Sequence, residues 1–486
     1  MGRISFVLFI LLIMKTVSYA QIFNPMRDHI IDPLLEAFPK LELRGFITNE
    51  SDMLVHNSFG NGSPIDFHGG SPEFSRIQWL GELRYKYYLT NHITLKGQLD
   101  LLYDAAFDWQ SDQDHRSRRE LQYFRTFKRW FREAYLDIDL GDFTFLLGKQ
   151  QRVWGKVDFL RTLDQLGAED FREIYDKGPH EFTRQPTWMA VANYFRDPFI
   201  FEVVWLPDFE RNKFGPVGWL QSPETLFPQA FSALELQKTD KPDLSFRDHD
   251  WAMRMRLDQW DWGFALAYFY MHDKNPTSFV RGFNFSTNRF VVEPEHTRLH
   301  RLGMAAEKTF DFGEDNQWLF RVESLYTINQ YETIANEFNL PAVLAGEDGV
   351  KKKGNLLTTW SVESFLKAFG YVDWLFYFQH ISFIQFGFGS DQVGSRVRVL
   401  GPADRIYHIL LWSLSKDFYN ERLFINLSVL VDSEGGALFP NSVVWKWTDY
   451  FKTSVGFNLY SGKWDDPLGM MDQVGDEVYL KLEYSF

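Results

Sequence analysis

The chain has 486 residues, a formal net charge of −14 at pH 7 and no cysteine. This acidic balance argues against binding of nucleic acid or anionic lipid through a basic patch. The absence of cysteine excludes disulfides and thiolate metal sites and fits export into an oxidising compartment. Phe, Trp and Tyr make up 18% of the residues, an aromatic content typical of membrane barrels, which carry two interfacial girdles of aromatic rings.

The N-terminus has the pattern of a cleavable secretory signal. An apolar run from Ile4 to Met14 is followed by small residues before Gln21. We therefore expect residues 1–20 to be removed and residues 21–40 to form an N-terminal periplasmic or lumen-entering segment. The apolar run is too short to span a bilayer, and no later segment has the roughly 20 apolar residues of a transmembrane helix. A membrane-resident chain of this kind would cross as a barrel.

From residue 41 onward, the chain resolves into alternating stretches with the period of two that is typical of strands. The clearest stretch is 77–89, where apolar residues occupy one parity and polar or charged residues the other. Lipid is expected on the side of Ile77, Trp79, Gly81, Leu83, Tyr85, Tyr87 and Leu89, and the lumen on the side of Gln78, Glu82, Arg84 and Lys86. A slip of one residue would place charges in hydrocarbon, where a midplane Arg or Lys costs roughly 2 to 4 kcal/mol. The register is therefore well determined.

The same pattern continues to the C-terminus and predicts a series of transmembrane strands. The candidate strands are 41–54, 77–89, 93–104, 130–140, 143–152, 187–195, 199–206, 250–257, 260–271, 297–309, 316–328, 356–367, 371–384, 404–417, 421–432, 437–447, 451–461 and 476–486. Tight turns and long connections alternate between them, as expected for short periplasmic turns and long external loops. The prediction is an all-β, antiparallel outer-membrane barrel over residues 41–486, with about 18 strands and 16 as the alternative count.

The last strand has a distinctive ending. Val478 to Phe486 alternates apolar and polar residues and stops on an aromatic residue. We expect this strand to close the barrel against the first one, near residues 41–54. Tyr484 and Phe486 are the predicted assembly signal, with Phe486 at the periplasmic rim.

One segment resembles a known family. Residues 148–158 read Gly-Lys-Gln-Gln-Arg-Val-Trp-Gly-Lys-Val-Asp, and the similarity continues through Trp205–Glu210 and the stretch from Gly469 to Leu480. These motifs resemble the proteobacterial outer-membrane proteins catalogued as domain-of-unknown-function family 1302. The resemblance implies a barrel, sometimes encoded near exporters of the resistance-nodulation type and periplasmic carriers, and it implies no established substrate. The chain departs from the pattern at residues 166–168, where Leu-Gly-Ala stands in place of the Asn-Pro that relatives often carry.

A barrel of this width cannot fill its interior with wall side chains alone, so the lumen is the expected place of function. The predicted basic ladder consists of Arg254, Arg256, Arg301 and Arg321. The predicted acidic side chains of the lumen are Glu82, Asp100, Asp104, Glu133, Asp137, Glu323 and Glu363. Opposed charges of this kind would orient polar solutes. The alternative is that they pair with each other and only line a wet wall.

The loop after residue 152 is the candidate constriction, because binding residues occur in loops more often than in scaffold strands. Its candidate residues are Trp154, Gly155, Lys156, Asp158, Arg161, Asp164 and Asp170. In the alternative, Trp154 belongs to the outer aromatic girdle and the charges are solvated.

The preferred function is an outer-membrane channel or conduit for small molecules, with hydrophobic or lipid-like cargo as one option, in a Gram-negative bacterium. The alternatives are a plugged barrel that acts as a binding or structural protein and, less favoured, a barrel-embedded hydrolase, for which no hydrolase motif is present. The expected partners are outer-membrane lipid, lipopolysaccharide, the barrel assembly machinery and, by the family resemblance, a periplasmic carrier and an inner-membrane exporter. We expect no enzyme activity, cofactor, metal or nucleic acid.

Overall fold

The structure is a computed structural model, which describes residues 31–56, 73–105, 130–157, 162–170, 183–213, 232–239, 241–243, 245–313, 317–334, 339–368, 371–388, 405–463, 468 and 476–486. The predicted signal peptide, residues 1–20, lies outside the described residues, as do residues 21–30 of the predicted N-terminal segment. Residues 32–37 of that segment form a short helix, α1 (Asp32–Ala37), with Pro33 in its first turn.

The described part of the chain is almost entirely β-structure. In chain order, the strands are Leu41–His56 (β1), Glu73–Tyr88 (β2), Ile93–Asp104 (β3), Phe131–Leu140 (β4), Phe143–Gln150 (β5), Ala168–Glu169 (β6), Arg184–Gln185 (β7), Thr187–Arg196 (β8), Phe199–Leu206 (β9), Leu234–Leu236 (β10), Asp250–Gln259 (β11), Trp262–His272 (β12), Thr277–Asn284 (β13), Arg289–Glu295 (β14), Arg298–Asp311 (β15), Gln317–Thr333 (β16), Val350–Ala368 (β17), Tyr371–Phe386 (β18), Ile406–Phe418 (β19), Leu423–Asp432 (β20), Ala437–Lys446 (β21), Phe451–Ser461 (β22) and Asp476–Ser485 (β23).

Eighteen of these strands, counted over the described residues, form one antiparallel sheet that closes on itself. The remaining strands lie outside the wall. β10, β14 and β13 form a three-stranded sheet, and β6 pairs with β7. A second short helix, α2 (Leu340–Leu344), is capped by the Asn339 side chain, which accepts a hydrogen bond from the Ala342 amide. No helix in the described part of the chain has the length and apolar character needed to cross a membrane.

β23 pairs with β1 to close the barrel, in a register that runs from Phe46 opposite Ser485 to His56 opposite Asp476. At the end of this seam, the Phe486 amide donates to the Gly45 carbonyl at 2.9 Å, and the Gly45 amide donates back to the Phe486 carbonyl at 3.0 Å. The predicted pairing of the last strand with the first is confirmed. Closure leaves no strand edge, which is the condition for placing a sheet in lipid.

The two faces of the wall separate as the period of two requires. On β11, Met253 is 51% exposed, whereas its neighbours Ala252 and Arg254 are buried. On β12, Leu266 is 56% exposed and Ala267 is buried. Since Arg254 lies opposite Ala267 in the sheet, these two side chains share the inner face. The exposed apolar side chains therefore face the lipid, and the alternate side chains of each strand face the lumen.

All eighteen predicted strands coincide with strands of the barrel, including the two with weak alternation near 404–417 and 437–447. The structure confirms the count of 18 and excludes 16. The largest differences are at the outer ends of β16 and β17, which extend several residues beyond the predicted limits. The start of β1, the end of β23 and the shortest turns share one end, which is the periplasmic end in barrels of this kind.

Replacing Gly45 by Ala is expected to weaken barrel closure. A Cβ atom at Gly45 would lie 2.2 Å from the Glu82 carbonyl oxygen and 2.7 Å from the Phe486 ring, and overpacking of this kind costs about 1 to 3 kcal/mol. The measurement is urea-induced unfolding of the refolded protein in lipid vesicles, followed by the mobility shift of the folded barrel on gels.

Gly81→Ala is the matched control, because Gly81 is on the neighbouring strand and on the same lipid-facing side. A Cβ atom there would meet nothing within 4 Å. The free energy of unfolding of the Gly81→Ala variant should therefore differ from that of the unsubstituted protein by less than about 0.5 kcal/mol. Equal effects of the two substitutions would contradict the role given to the seam.

Candidate functional site

The chain turns into the barrel directly after β5. We call residues 151–157 and 162–170 the inward segment, because their side chains contact the inner faces of β9, β11, β12, β15 and β16. Gly155 lies against this wall, and a Cβ atom there would be 3.2 Å from Oε2 of Glu323. The small residue therefore permits the close approach of the backbone.

The first anchor of the inward segment is Glu202, an almost fully buried carboxylate on the inner face of β9. Arg152 donates to both Glu202 oxygens, and Trp154 donates from its indole Nε1. Arg254 donates to Glu202 at 3.2 Å and to the Trp154 carbonyl at 3.3 Å, while its guanidinium lies 5.0 Å from the Trp154 ring centroid. The Glu202 carboxylate therefore holds Arg152 and the Trp154 indole of the inward segment next to Arg254 of the wall.

The second anchor is Glu323, a buried carboxylate on the inner face of β16. It accepts the backbone amides of Lys156 at 2.6 Å and of Leu163 at 3.3 Å. Beside it, the hydroxyls of Thr162 and Thr359 lie 2.7 Å apart. Because charge-assisted hydrogen bonds to buried groups are among the strong ones in proteins, this carboxylate substitutes for the backbone partners that an irregular segment lacks.

Apolar packing completes the attachment. Trp154, Leu163 and Leu166 belong to one buried cluster with wall residues such as Phe269 and Val204. The rings of Trp154 and Phe269 have centroids 5.0 Å apart. The inward segment therefore covers an apolar sector of the inner wall, and it fills that part of the lumen with its own side chains.

A cavity of about 740 Å³ remains on the other side of the inward segment. It lies between Gln151 and Val153 of the segment and the inner faces of β1 to β4. Its charged lining consists of Arg44, Arg84, Lys86, Lys96, Arg184, Glu42 and Glu133. Cationic side chains therefore outnumber carboxylates at this surface.

Two of the cations that line the cavity, Arg84 and Arg184, are paired with buried carboxylates set behind them. Arg84 contacts Glu82 at 2.5 Å, and the Arg84 side chain is 32% exposed whereas that of Glu82 is 1% exposed. Arg184 and Asp164 repeat this arrangement. Arg44 is exposed and forms no ion pair with any residue that the structure describes. In the Arg84 and Arg184 pairs the cationic end faces the cavity, whereas Lys86 is paired with Glu42, which also lines the cavity.

The four residues of the predicted basic ladder all lie on the inner wall, and three of them are ion-paired there. Arg254 is bound to Glu202, Arg301 lies 3.6 Å from Asp273 and donates to Gln165, and Arg321 lies 3.3 Å from Glu363. Arg256 forms no ion pair within the described ranges. The four arginines therefore do not form a continuous ladder along an open path. Arg254 and Arg301 bind the inward segment instead.

The predicted acidic residues also lie on the inner wall, and each has a partner. Glu82 accepts from Gln98 at 2.9 Å, Asp100 lies 3.6 Å from Arg132, Asp104 accepts the Ile77 amide, Glu133 accepts the Gln151 amide, and Asp137 contacts Lys96. Glu323 and Glu363 make the contacts given above. Many of these charges are thus used in internal pairing.

The predicted constriction residues have different positions. Trp154 and Gly155 are in the lumen, so Trp154 is not part of the outer aromatic girdle. Lys156 contacts Glu307, and Asp164 contacts Arg184. Asp170 forms an isolated parallel β-bridge with Lys213 through the backbone. Asp158 and Arg161 lie outside the described residues.

Sequence reasoning missed Glu202, Arg152 and Arg44. A usable signal was present for Glu202, since β8 and β9 are apolar on both parities and a wall facing open water needs only one apolar face. A single carboxylate within such a strand marks a buried polar contact. Arg44 carries no comparable signal, because its importance depends on the position of the inward segment across the lumen.

The closed wall, the lipid-facing apolar parity and the charged interior define an outer-membrane β-barrel of a Gram-negative bacterium. The family model described as "Protein of unknown function (DUF1302)" matches residues 52–394, which is more than half of the chain. The protein therefore belongs to the DUF1302 family, as the sequence motifs indicated. None of the curated proteins matches the chain.

Several solved structures are similar in overall architecture. Pseudomonas aeruginosa OpdK with vanillate is 9% identical, with 92% of this chain and 99% of that chain covered and a TM-score of 0.49. Pseudomonas aeruginosa OccK8 (OprE) is 7% identical, with 92% and 98% covered and a TM-score of 0.49. Acinetobacter baumannii OccAB3 is 6% identical, with 92% and 100% covered and a TM-score of 0.48. At such low sequence identities and TM-scores, these structures give no information about the ligands of this chain.

Removing the Glu323 carboxylate is expected to release the inward segment. Glu323→Ala leaves the Lys156 and Leu163 amides without their acceptor, and hydrogen bonds to a charged group contribute about 1.5 to 3 kcal/mol each. Hydrogen–deuterium exchange of residues 151–157 and 162–170 should accelerate by at least about tenfold. Glu363→Ala is the matched control, since Glu363 also faces the lumen but contacts Arg321 on the wall. Unchanged exchange in Glu323→Ala would show that this carboxylate does not hold the segment.

Proposed function

We propose that the protein is an outer-membrane channel for small polar solutes, with a preference for anions. The observation that carries the proposal is the cavity of about 740 Å³ between the inward segment and the β1–β4 wall. Its volume lies in the range of small-molecule sites. Its position, beside a segment that narrows the lumen, is where a channel selects its solutes.

The preference for anions rests on how the ion pairs are oriented. The carboxylates of Glu82 and Asp164 are buried, whereas the cationic ends of their partners line the cavity. Arg44 adds a further exposed cation that forms no ion pair among the described residues. An anion that enters the cavity would therefore be attracted by these cationic groups, whereas a cation would be repelled by them.

Hydrophobic or lipid-like cargo is less well supported. Lipid passage would need an apolar track through the lumen, and the apolar sector of the inner wall is covered by Trp154, Leu163 and Leu166. The polar cavity is on the opposite side of the segment. The geometry therefore favours polar solutes over lipid as the cargo.

A plugged barrel is the second candidate, and one observation favours it. Leu163 and Leu166 are fully buried, so the inward segment is packed like a core element rather than lying loosely across the lumen. If that packing also closes the cavity to through-flow, the barrel would act as a binding or structural protein. Conductance separates the two candidates directly.

Reversing the charge of Arg44 is expected to reduce the anion preference of the channel. Arg44→Glu exchanges the exposed cation of the cavity for a carboxylate, a change of two unit charges. Since a unit charge at about 4 Å in water contributes roughly 1 kcal/mol, the change of about 2 kcal/mol corresponds to about a thirtyfold change in permeability ratio. The measurement is the reversal potential across a planar bilayer under a potassium chloride gradient. Its sign for the unsubstituted protein should indicate anion preference.

Lys238→Glu is the matched control, because it makes the same change in net charge at an exposed position of the external connection between β9 and β11. It should leave the reversal potential unchanged. A shift of similar size in both variants, or cation preference of the unsubstituted protein, would contradict the assignment of selectivity to the cavity.

A further inference from the structure

Four polar or amphipathic side chains lie together on the lipid-facing wall of β17, β18 and β19. We call Trp360, His380, Ser382 and His408 the outer-wall histidine cluster. His380 alternates along β18 with Gln379 and Ile381, which are fully buried on the inner side, and Trp360 is 40% exposed. The cluster therefore faces outward. Ionisable and polar groups are rare on a lipid-facing surface and mark functional sites when they occur.

The hydrogen bonds of the cluster have a direction. Trp360 can only donate, and its Nε1 lies 2.7 Å from His380 Nδ1, so the proton of a neutral His380 is on Nε2. His380 Nε2 in turn lies 3.1 Å from His408 Nδ1, and the Ser382 hydroxyl lies 2.9 Å from the same atom. His380 Nε2 also lies 3.2 Å from the Ser382 hydroxyl. Each proton has one acceptor when His380 donates to Ser382 Oγ and Ser382 donates to His408 Nδ1, so His408 Nδ1 is the acceptor at the end of this relay.

The chain of donors ends at His408. Because Nδ1 accepts, a neutral His408 carries its proton on Nε2, and this N–H has no hydrogen-bond partner among the described residues. A donor that faces lipid without a partner costs several kcal/mol. The cluster thus presents one directed N–H to whatever molecule lies against this wall.

The height of the cluster matches the polar boundary of the outer leaflet. His408 is ten residues from the periplasmic end of β19 at Phe418. At a rise of about 3.3 Å per residue and a tilt near 40°, this places it roughly 25 Å above that end, at the outer edge of an apolar band about 25 Å tall. Lipid headgroups with their acceptor oxygens begin at this height.

An apolar groove of about 620 Å³ lies on the same outer wall, and its lining reaches from β9 to Leu356 on β17, the strand that carries Trp360. Its lining includes Met253, Leu266, Leu302, Met304 and Tyr326. Leu266 is four residues from the periplasmic end of β12 at Trp262, hence roughly 10 Å above that end by the same geometry. Leu302, which also lines the groove, is nine residues from the periplasmic end of β15 at Asp311, hence roughly 23 Å above that end. The groove therefore extends from about the height of the histidines down into the membrane.

The strand register connects the groove to the cluster. Ser324 lines the groove and lies 3.2 Å from the Thr358 hydroxyl. Thr358 is opposite Ser382, and Ser382 is opposite His408. The hydrogen-bond donors at the outer interface thus adjoin a groove that extends below them, which is the arrangement needed for the headgroup and an acyl chain of an outer-leaflet lipid.

We propose that this wall is a binding site for one lipopolysaccharide molecule, with a lipid A phosphate accepting from His408 Nε2 and an acyl chain lying in the groove. The site is independent of solute passage, because it is on the opposite face of the wall from the lumen. Its recognition is a directed hydrogen bond together with apolar contact, so it needs no basic patch.

The test is native mass spectrometry of the purified protein titrated with diphosphorylated lipid A. One bound molecule should be retained by the unsubstituted protein. The His380→Leu/His408→Leu variant should bind about tenfold more weakly, as expected for one lost hydrogen bond to a charged group. Lipid A without phosphates should bind the unsubstituted protein as weakly as the double variant binds the phosphorylated form.

Two further variants separate binding from folding. Met304→Trp, which fills the groove, should weaken lipid A binding while leaving the histidines intact. His92→Leu is the matched control, because His92 is in an exposed turn at the periplasmic end, and it should bind as the unsubstituted protein does. The gel mobility of the folded barrel is checked for each variant before titration.

Equal binding by the unsubstituted protein and the double variant would overturn the proposal. So would equal retention of phosphatidylglycerol and lipid A by the unsubstituted protein, since the site would then not distinguish its lipid. Loss of a dimer in the double variant without any change in lipid A binding would assign the wall to a second copy of the chain, and this too would refute the lipid site.

Discussion

The width of an eighteen-stranded barrel is the constraint on which the rest of the structure depends. A wall of this circumference encloses more space than its own side chains can fill. Glu202 and Glu323 determine how that space is used, because they supply acceptors to the part of the inward segment before β6, which has no strand partner. With the inward segment held against β9 to β16, the interior divides into a packed apolar sector and a polar cavity.

This division explains why so many inner-wall charges are paired. A buried charge without a partner costs several kcal/mol, so arginines beneath the inward segment are tolerated where carboxylates or carbonyls meet them. Arg254 illustrates the point, since it bonds to Glu202 and to the Trp154 carbonyl at once. The charges left for solutes are those on the far side of the segment, at the β1–β4 wall.

The barrel could be predicted from the sequence because its determinants are local. Alternation with a period of two and the succession of short and long connections are properties of neighbouring residues, and they located all the strands of the wall. The pairing of β23 with β1 followed from closure alone. The ladder of Arg254 and Arg301 was placed on the correct face, but its use was not predictable, because that depends on Glu202, Asp273 and the inward segment.

The same limit applies to the outer wall. Periodicity places His380 and His408 on the lipid-facing side, yet their contact through Ser382 arises from the register between β18 and β19. A site built from residues of several strands cannot be predicted from the alternation within each strand alone. Long-range pairing is therefore what the structure adds, both inside the lumen and on the outer surface.

Single-channel recording of the unsubstituted protein in a planar bilayer tests the central claim most directly. If the inward segment leaves the polar cavity open along the lumen, each inserted barrel should give a steady ohmic current in potassium chloride, carried mainly by chloride. Correctly folded barrels that insert without any current would contradict the account and identify the inward segment as a plug.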